Sequence, residues 1–348
     1  MATDTLSSNH RPLISVVVLN WNGAEDTLAC LDSLAALTYP DFNVVVVDNG
    51  STDGSEVRLR NYSAPYPMTL LETRRNLGYA GGNNIGARYA LQHGADFVLI
   101  LNNDTTVAPD LLGRLVDAAQ RSPDAGVFGA RVMYFDRPEF VWFDGARWSK
   151  SSLQMEWPGQ GEPEANLGTG DHETDYVCGA ALIFRAEVAR QIGLLDEAFF
   201  LVWEEVDWCF RARKAGWRST VVPAAKVWHK IGASFGTESS PLRMYFSVRN
   251  ELLWFSRYAP LSGRARLWAK DLRRLIPKFS VSNGSAPWIK RLLWAVQDYA
   301  RAWVGRGNRL EYLATRRAIM DYVHGRSGDC PDEVRAWSKA WAALQLDE

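Results

Sequence analysis

The first 134 residues alternate apolar runs with segments of helical periodicity. The runs Ile14 to Leu19 and Val44 to Val47 are almost wholly apolar. Between them Leu28, Leu31 and Leu34 recur at helical spacing. The alternation continues with strands predicted at 69–72 and 97–101, a helix at about 81–93 and a helix opened by Pro109. Strands that are apolar on both faces lie between layers of helices, so we predict an α/β fold with a mostly parallel central sheet.

The pattern changes after residue 134. Residues 137–176 are irregular and rich in Trp, Gly, Pro and acidic side chains, which indicates loops or an antiparallel flap. An apolar run at 177–184 predicts one more strand. From about residue 238 the pattern is helical, with an apolar stripe at Trp288, Leu292, Val296, Tyr299 and Trp303. We therefore predict a C-terminal helical extension.

Composition is typical of a soluble globular protein. The 348 residues are 47% hydrophobic and 23% charged, which is enough for one large core or two smaller ones. The four cysteines are scattered, without a Cys-x-x-Cys pair or a cluster at zinc spacing, and this favours a reducing cytoplasm. No apolar stretch approaches the roughly 18 residues of a membrane span, and the first dozen residues lack a signal-peptide core. We expect a cytoplasmic protein.

The net charge of −1 hides an asymmetry along the chain. Residues 241–348 contain 19 Lys and Arg against 10 Asp and Glu, which leaves 20 against 30 for residues 1–240. The basic part also carries seven of the fifteen tryptophans. Such helices rest on anionic lipid, here the inner face of a cell membrane, or simply expose a solvated basic face. Both interpretations stay open, as does a homo-oligomer, and we expect no nucleic acid partner.

Polar residues stand just past apolar runs or at a helix start. They are Asp48, the triplet Asn102-Asn103-Asp104, the pair Glu204-Glu205 and His229. Parallel strands deliver ligand-binding residues at their carboxyl ends, so we expect these positions to line one crevice. Neither a G-x-G-x-x-G fingerprint nor a P-loop is present. A metal held by carboxylate is the usual alternative for neutralising a diphosphate.

Six segments in order resemble the inverting family 2 glycosyltransferases of the GT-A fold, and most closely their bacterial rhamnosyltransferase-like branch. The segments are Ile14 to Gly23, Val45 to Gly54, Asn76 to Gly86, Leu99 to Asp104, Trp203 to Gly216 and His229 to Ser234. The resemblance covers residues 12–258 and implies a nucleotide-diphospho-sugar transferase. We predict a disordered N-terminus at 1–11 and a catalytic domain at 12–237, with a donor half (12–134) and an acceptor half (135–237). A helical, basic, Trp-rich region follows at 238–348.

The resemblance implies a nucleoside pocket at Asp48. A carboxylate there accepts the imide N–H of uracil or thymine, whereas the alternative, a cap on a tight turn, suits Asp53 better. Asn20 and Asn22 are expected to line the same pocket or to be hydrogen-bonded within their loop.

The glycine-rich loop before the third helix is the second expected part of the donor site. Gly78, Asn83 and Asn84 lie where a backbone approaches a ligand closely and a helix N-terminus attracts phosphate or sugar hydroxyls. Many relatives have Arg where this chain has Asn83. Arg74 or Arg75 is expected to compensate for the missing charge.

A metal site is implied at Asp104 and His229. The family usually carries an acidic triplet where this chain has Asn102, Asn103 and Asp104, so one anionic ligand remains and the two amides are expected to face the donor. We expect Mg²⁺ or Mn²⁺, bound mainly once the diphosphate supplies oxygens. Imidazole tilts the choice toward Mn²⁺. The alternatives are a turn cap at Asp104 and a structural histidine.

The catalytic base is implied at Glu205. Relatives carry Glu-Asp where this chain has Glu204 and Glu205, and inversion needs one base because the acceptor hydroxyl attacks once, opposite the leaving group. Glu204 is the second candidate, and both glutamates alternatively serve only the helix N-terminus. Asp207 and Arg211 are expected to pair on one helix face. Arg249 is expected either to contact phosphate or to tie the tail to the core.

These residues together predict single-displacement sugar transfer. By resemblance the first choice of donor is dTDP-rhamnose, and UDP-linked galactofuranose, galactose or N-acetylglucosamine stay open. The expected acceptor is a cell-surface glycan on a lipid carrier. Two rivals are a sugar nucleotidyltransferase, disfavoured because Asn20 to Gly23 carries no positive charge, and an inactive glycan- or nucleotide-binding homologue.

Overall fold

The computed structural model describes residues 11–149, 151–152, 154–231, 240–274 and 306–346, which form two compact units. The first contains the described residues up to Phe200 together with Glu204–Ile231. The second contains Leu201–Trp203 and the described residues from 240 onward. The N-terminal residues 1–10, the predicted domain boundary at 237/238 and the stripe from Trp288 to Trp303 lie outside the described residues.

The first unit is a sheet with helices packed on it. Its strands are β1 (Ile14–Asn20), β2 (Phe42–Asp48), β3 (Met68–Glu72), β4 (Phe97–Asn102), β5 (Thr105–Val107), β6 (Ala125–Tyr134), β7 (Val141–Phe143), β8 (Arg147–Ser149), β9 (Gln154–Glu156), β10 (His172–Thr174), β11 (Ala181–Arg185) and β12 (Arg218–His229). Its helices are α1 (Ala24–Leu34), α2 (Ser55–Arg60), α3 (Gly78–Gln92), α4 (Leu111–Arg121), α5 (Ala186–Ile192) and α6 (Glu204–Lys214), and a 3₁₀ turn spans Glu164–Asn166.

The sheet is parallel in its donor half and mixed beyond it. Its order is β10-β12-β6-β11-β4-β1-β2-β3; β5 pairs with β12, and β7 pairs with β6. Strands β1 to β4 run parallel, and β11 enters antiparallel between β4 and β6. The central strands are buried on both faces, as their apolar sequences predict. Helix α3 lies directly on β1, because a Cβ at Gly86 would come within 2.4 Å of Val17 Cγ1.

Several elements differ from the sequence predictions. The run 177–184 contributes a strand only from Ala181; Val177, before it, packs its side chain where a Cβ on Gly129 would stand. Strands β6 and β12 were not predicted. Glycines and Arg131 interrupt the apolar pattern of β6, and a register shift between Val222 and Lys226 accommodates Pro223 in β12.

Residues 137–176 contain short antiparallel strands, so of the two predicted alternatives, loops or an antiparallel flap, the structure has the flap. Strands β8 and β9 pair as a two-stranded sheet. Arg131, fully buried in β6, fixes this flap through a bidentate pair with Asp144 at 2.8 and 2.9 Å and a bond to Gly168 O at 2.6 Å. A bidentate guanidinium gives orientation as well as attraction, so the flap has a defined position on the sheet.

The second unit is helical, which agrees with the predicted C-terminal extension. Its helices are α7 (Pro241–Tyr258), α8 (Leu261–Arg274), α9 (Arg306–Val323) and α10 (Asp332–Leu346). Helix α7 starts with proline at its first position and with Ser240 Oγ accepting from Arg243 N–H. The Tyr245 hydroxyl donates to Asp321 Oδ2 at 2.8 Å and so joins α7 to α9. None of the helices in the described ranges has the length and hydropathy that a bilayer span requires.

Candidate active site

Three strands end side by side at one edge of the sheet. The register pairs Asn20 with Asp48, and Leu19 with Asn102. The last residues of β1, β2 and β4 therefore lie next to one another, as the parallel-strand argument predicts.

Asp48 is buried and held by hydrogen bonds on both of its oxygens. Oδ1 accepts from Asn20 Nδ2 at 2.8 Å, and Oδ2 accepts from Ser51 N–H at 3.1 Å. The carboxylate therefore caps the turn after β2, and Asp53 caps the next one by accepting from Ser55 N–H. Each carboxylate oxygen keeps a further lone pair, so capping leaves capacity for a ligand.

Asn20 and Asn22 are both engaged within their loops. Asn20 is fully buried, and its Oδ1 accepts from Thr27 Oγ1 at 2.7 Å. Asn22 has a φ of 52°, and its Oδ1 accepts from Thr52 N–H at 2.7 Å. These contacts match the loop-bonding alternative; lining of the nucleoside pocket stays a prediction for both residues.

Thr27 of α1 connects the two halves of the predicted donor site. Its hydroxyl donates to Asn20, and it accepts from Asn103 Nδ2 at 2.9 Å. A chain of buried hydrogen bonds thus runs from Asp48 through Asn20 and Thr27 to Asn103. Because polar chains are rigid when their members are paired, Asp48 and the triplet at 102–104 are held in one geometry.

The glycine-rich loop is tied to neighbouring backbone. Gly78 has a φ of 75°, and a Cβ there would lie 2.5 Å from Phe200 O, so only glycine fits. Phe200 O in turn accepts from Ala80 N–H at 3.2 Å. Asn49, after β2, holds the loop by accepting from Leu77 N–H at 3.0 Å and donating to Gly78 O at 3.1 Å.

The two asparagines of this loop have different contacts. Asn84 is buried and bonded at both ends to Leu195, through its amide N–H to the carbonyl at 2.9 Å and through Oδ1 to the N–H at 3.0 Å. Asn83 is buried too, but its Oδ1 has no hydrogen-bond partner among the described residues. Arg74 and Arg75 lie exposed, and Arg74 has a φ of 61°. Donor contacts stay a prediction for all four.

Asp104 and His229 lie together although 124 residues of chain separate them. Strand β5 pairs antiparallel with the end of β12, with Thr105 opposite His229, and Lys230 N–H donates to Asp104 O at 2.9 Å. This pairing brings His229 Nε2 to 3.0 Å from Asp104 Oδ1, with Asn102 Nδ2 at 3.4 Å from the same nitrogen. Both side chains are buried.

Several polar atoms at this place lack hydrogen-bond partners among the described residues. They are Oδ1 of Asn102, Nδ1 of His229 and Oδ1 of Asp104, whose 3.0 Å approach to His229 Nε2 does not have the geometry of a hydrogen bond. Unpaired buried polar atoms are unfavourable, and a cluster of them is the chemistry of a ligand site. In the described ranges no group of three or more His, Cys, Asp or Glu is placed to hold a metal ion. The available set is therefore one carboxylate, one imidazole and one amide oxygen.

Glu204 and Glu205 start α6 and differ in environment. Glu204 is buried, and burial, with the charge of Glu205 second, raises its pKa well above the ordinary 4.5. Glu205 keeps part of its surface exposed, and burial raises its pKa to about 7. One oxygen of each lacks a hydrogen-bond partner in the described part of the chain. Two carboxyl groups with separated affinities for the proton are typical of acid–base sites.

The glutamates and Asp104 converge on one thiol. Burial is the main cause that raises the pKa of Cys178, and the charges of Glu205, Asp104 and Glu204 raise it further. Tyr79, in the first turn of α3, reaches the same place by donating to Gly179 O at 2.7 Å. Burial and the two glutamate charges raise the pKa of the Tyr79 hydroxyl as well. The charges of the predicted base and of the predicted metal ligand thus both influence the Cys178 thiol.

Aromatic side chains of the flap extend from His229 toward solvent; we call Trp142, Phe143, Tyr176 and Trp157 the aromatic row. Trp142 meets His229 edge-on at 5.0 Å between ring centroids, and Phe143 lies 5.5 Å from Tyr176. The Tyr176 hydroxyl accepts from Trp157 Nε1 at 2.8 Å. Trp157 is 45% exposed, so the row ends in an open aromatic face.

Helix α6 is anchored by a pair that the sequence predicts. Arg211 Nε contacts Asp207 Oδ2 at 2.8 Å, and the guanidinium also donates to the carbonyls of Ile192 and Leu194. Arg249, in contrast, has contacts within the second unit: it is buried and donates to Gly328 O at 2.6 Å. These contacts all lie within the C-terminal region, so the tie of the tail to the core and the contact with phosphate both stay predictions for Arg249.

Sequence reasoning missed Thr27, Asn49, Tyr79 and the aromatic row. Asn49 and Tyr79 stand inside motifs that were recognised, so their position next to Asp48 and Gly78 was an available signal. Thr27 and Trp157 carry no local signal, because their roles depend on residues at least 7 and 19 positions away.

The chain is similar in sequence to known proteins. The sequence model of glycosyl transferase family 2 matches residues 15–193, just over half of the chain. The chain is similar to N-acetylglucosaminyl-diphospho-decaprenol L-rhamnosyltransferase of Mycobacterium tuberculosis, with 29% identity over 250 residues, 65% of this chain and 78% of the relative. It is 23% identical over 302 residues to dTDP-rhamnosyl transferase RfbF of Shigella flexneri, 84% of this chain and 97% of that one.

The fold has solved counterparts. The crystal structure of GalNAc-T7 with UDP, GalNAc and Mn²⁺ superposes with a TM-score of 0.61 at 15% identity, over 85% of this chain and 58% of that one. At this identity the likeness concerns the fold alone. The predicted GT-A architecture, a central sheet flanked by helices with a helical C-terminal extension, is confirmed, although the sheet is parallel only in its donor half and mixed beyond it.

Proposed function

The chain belongs to glycosyl transferase family 2, and on that premise we propose that it moves a sugar from a nucleotide diphosphate to an acceptor hydroxyl with inversion. The observation that carries this proposal is the 3.0 Å approach of His229 Nε2 to Asp104 Oδ1 beside the edge of the sheet where β1, β2 and β4 end. The charges of Asp104 and of both glutamates also raise the pKa of the Cys178 thiol, after burial. Phosphate chemistry and hydroxyl activation need to be adjacent in such a reaction.

In this mechanism Glu205 is the base. Glu204 is the more deeply buried carboxyl and retains its proton at neutral pH, whereas Glu205, with a pKa of about 7, ionises near the working range. Glu205 then accepts the proton of the acceptor hydroxyl as that oxygen attacks the anomeric carbon. A protonated Glu204 beside it adds no second negative charge, which keeps Glu205 ionisable.

The residues fit a divalent cation shared with the diphosphate. Ligands at the 2.0–2.1 Å distance of Mg²⁺ lie about 3 Å apart when they are adjacent in an octahedron, and Asp104 Oδ1 and His229 Nε2 are 3.0 Å apart. Asp104, His229 and the Asn102 amide oxygen would hold the ion, which would stabilise the charge of the departing diphosphate. Mn²⁺ is favoured over Mg²⁺ because of the imidazole ligand.

Asp48 supports a uracil or thymine nucleotide, since its oxygens keep free lone pairs at the end of β2. Two of the similar proteins are named as rhamnosyltransferases, and the name of one of them includes dTDP-rhamnosyl. We take dTDP-rhamnose as the donor, with UDP-linked sugars as the alternative.

The acceptor side lies in the flap. The exposed face of Trp157 at the end of the aromatic row suits the apolar face of a sugar ring. Trp157 donates to the Tyr176 hydroxyl, and the pKa of that hydroxyl is raised by burial first and then by the charges of Cys178 and Glu205. The name of one similar protein includes an N-acetylglucosaminyl diphosphate on a polyprenol, and we propose a lipid-linked glycan of this kind as acceptor. Membrane contact through 238–348 and a homo-oligomer stay predictions.

A panel of dTDP- and UDP-sugars tests the proposal. The full-length protein is incubated with each donor, Mn²⁺ or Mg²⁺, and N-acetylglucosaminyl diphosphate on a short polyprenyl chain. We expect metal-dependent transfer from dTDP-rhamnose, with the opposite anomeric configuration in the product by NMR. Retained configuration would contradict the single-displacement mechanism, and absence of turnover with every donor would favour an inactive binding protein.

A further inference from the structure

A charged side chain lies in the middle of a buried strand of the sheet. Nine of the ten residues of β6 are buried, and the side chain of Arg131 is 1% exposed. The other residues of β6 are Ala, Gly, Val, Phe, Met and Tyr. A guanidinium keeps its charge in proteins, so its burial is unfavourable unless its N–H groups have acceptors. The arginine therefore needs a reason other than the packing of the strand.

The acceptors of this guanidinium lie in the flap at 137–176. Nε and Nη2 donate to the two carboxylate oxygens of Asp144 at 2.9 and 2.8 Å. Nη1 donates to Glu164 Oε1 at 3.3 Å, and Nη2 also donates to Gly168 O at 2.6 Å. The guanidinium is planar and rigid, so one side chain of β6 fixes three points of the flap relative to one another.

Backbone pairing alone holds the flap at few places. Strand β7 has three residues, and the register of its pairing with β6 shifts between Val132 and Met133. Strands β8 and β9 form a separate two-stranded sheet, and β10 pairs with β12 over three residues. Short strands provide few hydrogen bonds, so the side-chain contacts of Arg131 add the constraints that the backbone of the flap does not supply.

A second cation ties the flap to β12. Lys226 lies opposite Arg131 in the pairing of β12 with β6, and its Nζ donates to Glu164 Oε2 at 2.8 Å. Glu164 therefore lies between two cations on neighbouring strands, whose repulsion it offsets. His229 follows three residues later on β12, so the flap is fixed to the strand that carries the predicted metal ligand.

The clamped residue Asp144 directly follows two members of the aromatic row. Trp142 meets His229 edge-on at 5.0 Å between ring centroids, and Phe143 lies 5.5 Å from Tyr176. A shift of Asp144 would therefore move the row relative to His229. Buried ion pairs are weak evidence for stability, because desolvation offsets their attraction, and their better attested use is to specify one arrangement.

We propose that Arg131 is a positioning residue for the acceptor: by holding Asp144 and Gly168 it keeps the aromatic row at a fixed place beside His229. The inference rests on the proposed function, which assigns the acceptor to this flap. Arg131 is buried and touches no reacting atom. Its loss therefore weakens use of the acceptor and leaves nucleotide binding at the ends of β1 and β2 unchanged.

Arg131→Lys in the full-length protein tests this inference, because lysine keeps the charge and loses the planar fork. We expect a loss of about 10- to 100-fold in kcat/KM for N-acetylglucosaminyl diphosphate on a short polyprenyl chain, since small displacements in a site have effects of this size. The affinities for dTDP and UDP, measured by calorimetry, should not change. Hydrogen–deuterium exchange should become faster in 137–176 and stay the same in β1 and β2. Unchanged exchange in the flap would overturn the inference.

Replacing both partners by apolar residues separates positioning from stability. Arg131→Met combined with Asp144→Leu removes the buried charges together, and such replacements are often neutral or stabilising. We expect this double variant to melt at least as high as Arg131→Lys, while its kcat/KM for the acceptor stays low. Return of kcat/KM for the acceptor to the value of the unchanged protein would mean that the pair only stabilises the fold, and the inference would be wrong.

Arg185→Lys is the matched control in the same sheet. The side chain of Arg185 is 13% exposed, and its guanidinium donates to Ala119 O at 2.6 Å and to Ala125 O at 2.9 Å, both outside the flap. We expect a lower melting temperature with unchanged kcat/KM for the acceptor and unchanged exchange in 137–176. Equal losses of kcat/KM in the two lysine variants would contradict positioning by Arg131. Failure of the proposed function is recognised separately, because the unchanged protein would then transfer no sugar while the exchange experiment still reports on the flap.

Discussion

Replacing Glu205 by Gln should lower activity and raise stability at neutral pH. Burial raises the pKa of this carboxyl group and so makes it a base near pH 7, and the same burial makes its charged form unfavourable. The change keeps the size of the side chain and removes the titrating proton. We expect donor binding to be retained and kcat to fall at least about a hundredfold, the usual size of a general-base effect.

The pH profile of the unchanged protein has a defined sign. A base with a pKa of about 7 is about one-tenth ionised at pH 6 and about nine-tenths ionised at pH 8. Transfer should therefore rise roughly tenfold between these values and then level off. Glu205→Gln should have low activity throughout, without this rise.

The free energy of unfolding should fall as the pH rises, whereas the activity rises. The pKa of Glu205 is higher in the folded state than its ordinary 4.5, so its contribution to stability is fully present below pH 4.5 and is lost as the pH rises through about 7. A rise from 4.5 to about 7 corresponds to on the order of 3 kcal/mol, at about 1.4 kcal/mol per pH unit. Glu205→Gln should be more stable than the parent at pH 8 by up to this amount and nearly equal to it at pH 4.

Urea unfolding at pH 8 and pH 4, followed by circular dichroism, measures the free-energy difference, and initial transfer rates from pH 5 to 9 give the activity profile. Glu173→Gln, an exposed glutamate on β10, is the control and should change neither. A variant that is inactive but equally stable at both pH values would refute burial as the origin of the raised pKa. Full activity in the variant would move the base elsewhere.

Further predictions concern the metal, the base pocket and the acceptor. Asp104→Asn should raise the Mn²⁺ concentration for half-maximal rate about tenfold or more, through loss of the anionic ligand; an unchanged metal titration would contradict it. Thr27→Val should weaken nucleotide binding by calorimetry about tenfold, because it leaves the buried Oδ1 of Asn20 without its donor and removes the 2.9 Å bond of Asn103. Trp157→Phe should raise the acceptor KM several-fold with the donor KM unchanged. Trp217→Phe, which removes an indole bond to Gln191, is its control, and equal effects of the two changes would refute an acceptor role.

The strand ends of the donor half were readable from the chain because their information is local. An apolar run buried on both faces has to end where it meets solvent or a ligand, so Asn20, Asp48 and Asn102 mark the edge of the sheet. The start of α6 at Glu204 and the pair of Asp207 with Arg211 follow from helical spacing in the same way. The order of these motifs along the chain also sufficed to recognise the family.

Other features have no local signature. The 3.0 Å approach of His229 to Asp104 depends on the pairing of β5 with β12, and Pro223 and a register shift hide that strand from pattern analysis. The left-handed conformations of Phe200, Val202 and Trp203 have no signature in the sequence either, because none of these residues is a glycine.

The sequence by itself determined the fold class, the family and the positions of polar residues at strand and helix ends, because hydrophobic periodicity and motif spacing are properties of neighbouring residues. Only the tertiary structure decided which of those residues touch and how their surroundings differ. Glu204 and Glu205 are identical side chains side by side in the chain, and their surroundings in the packed protein give them different pKa values: burial raises both, the charge of Glu205 raises that of Glu204 further, and backbone N–H groups lower that of Glu205.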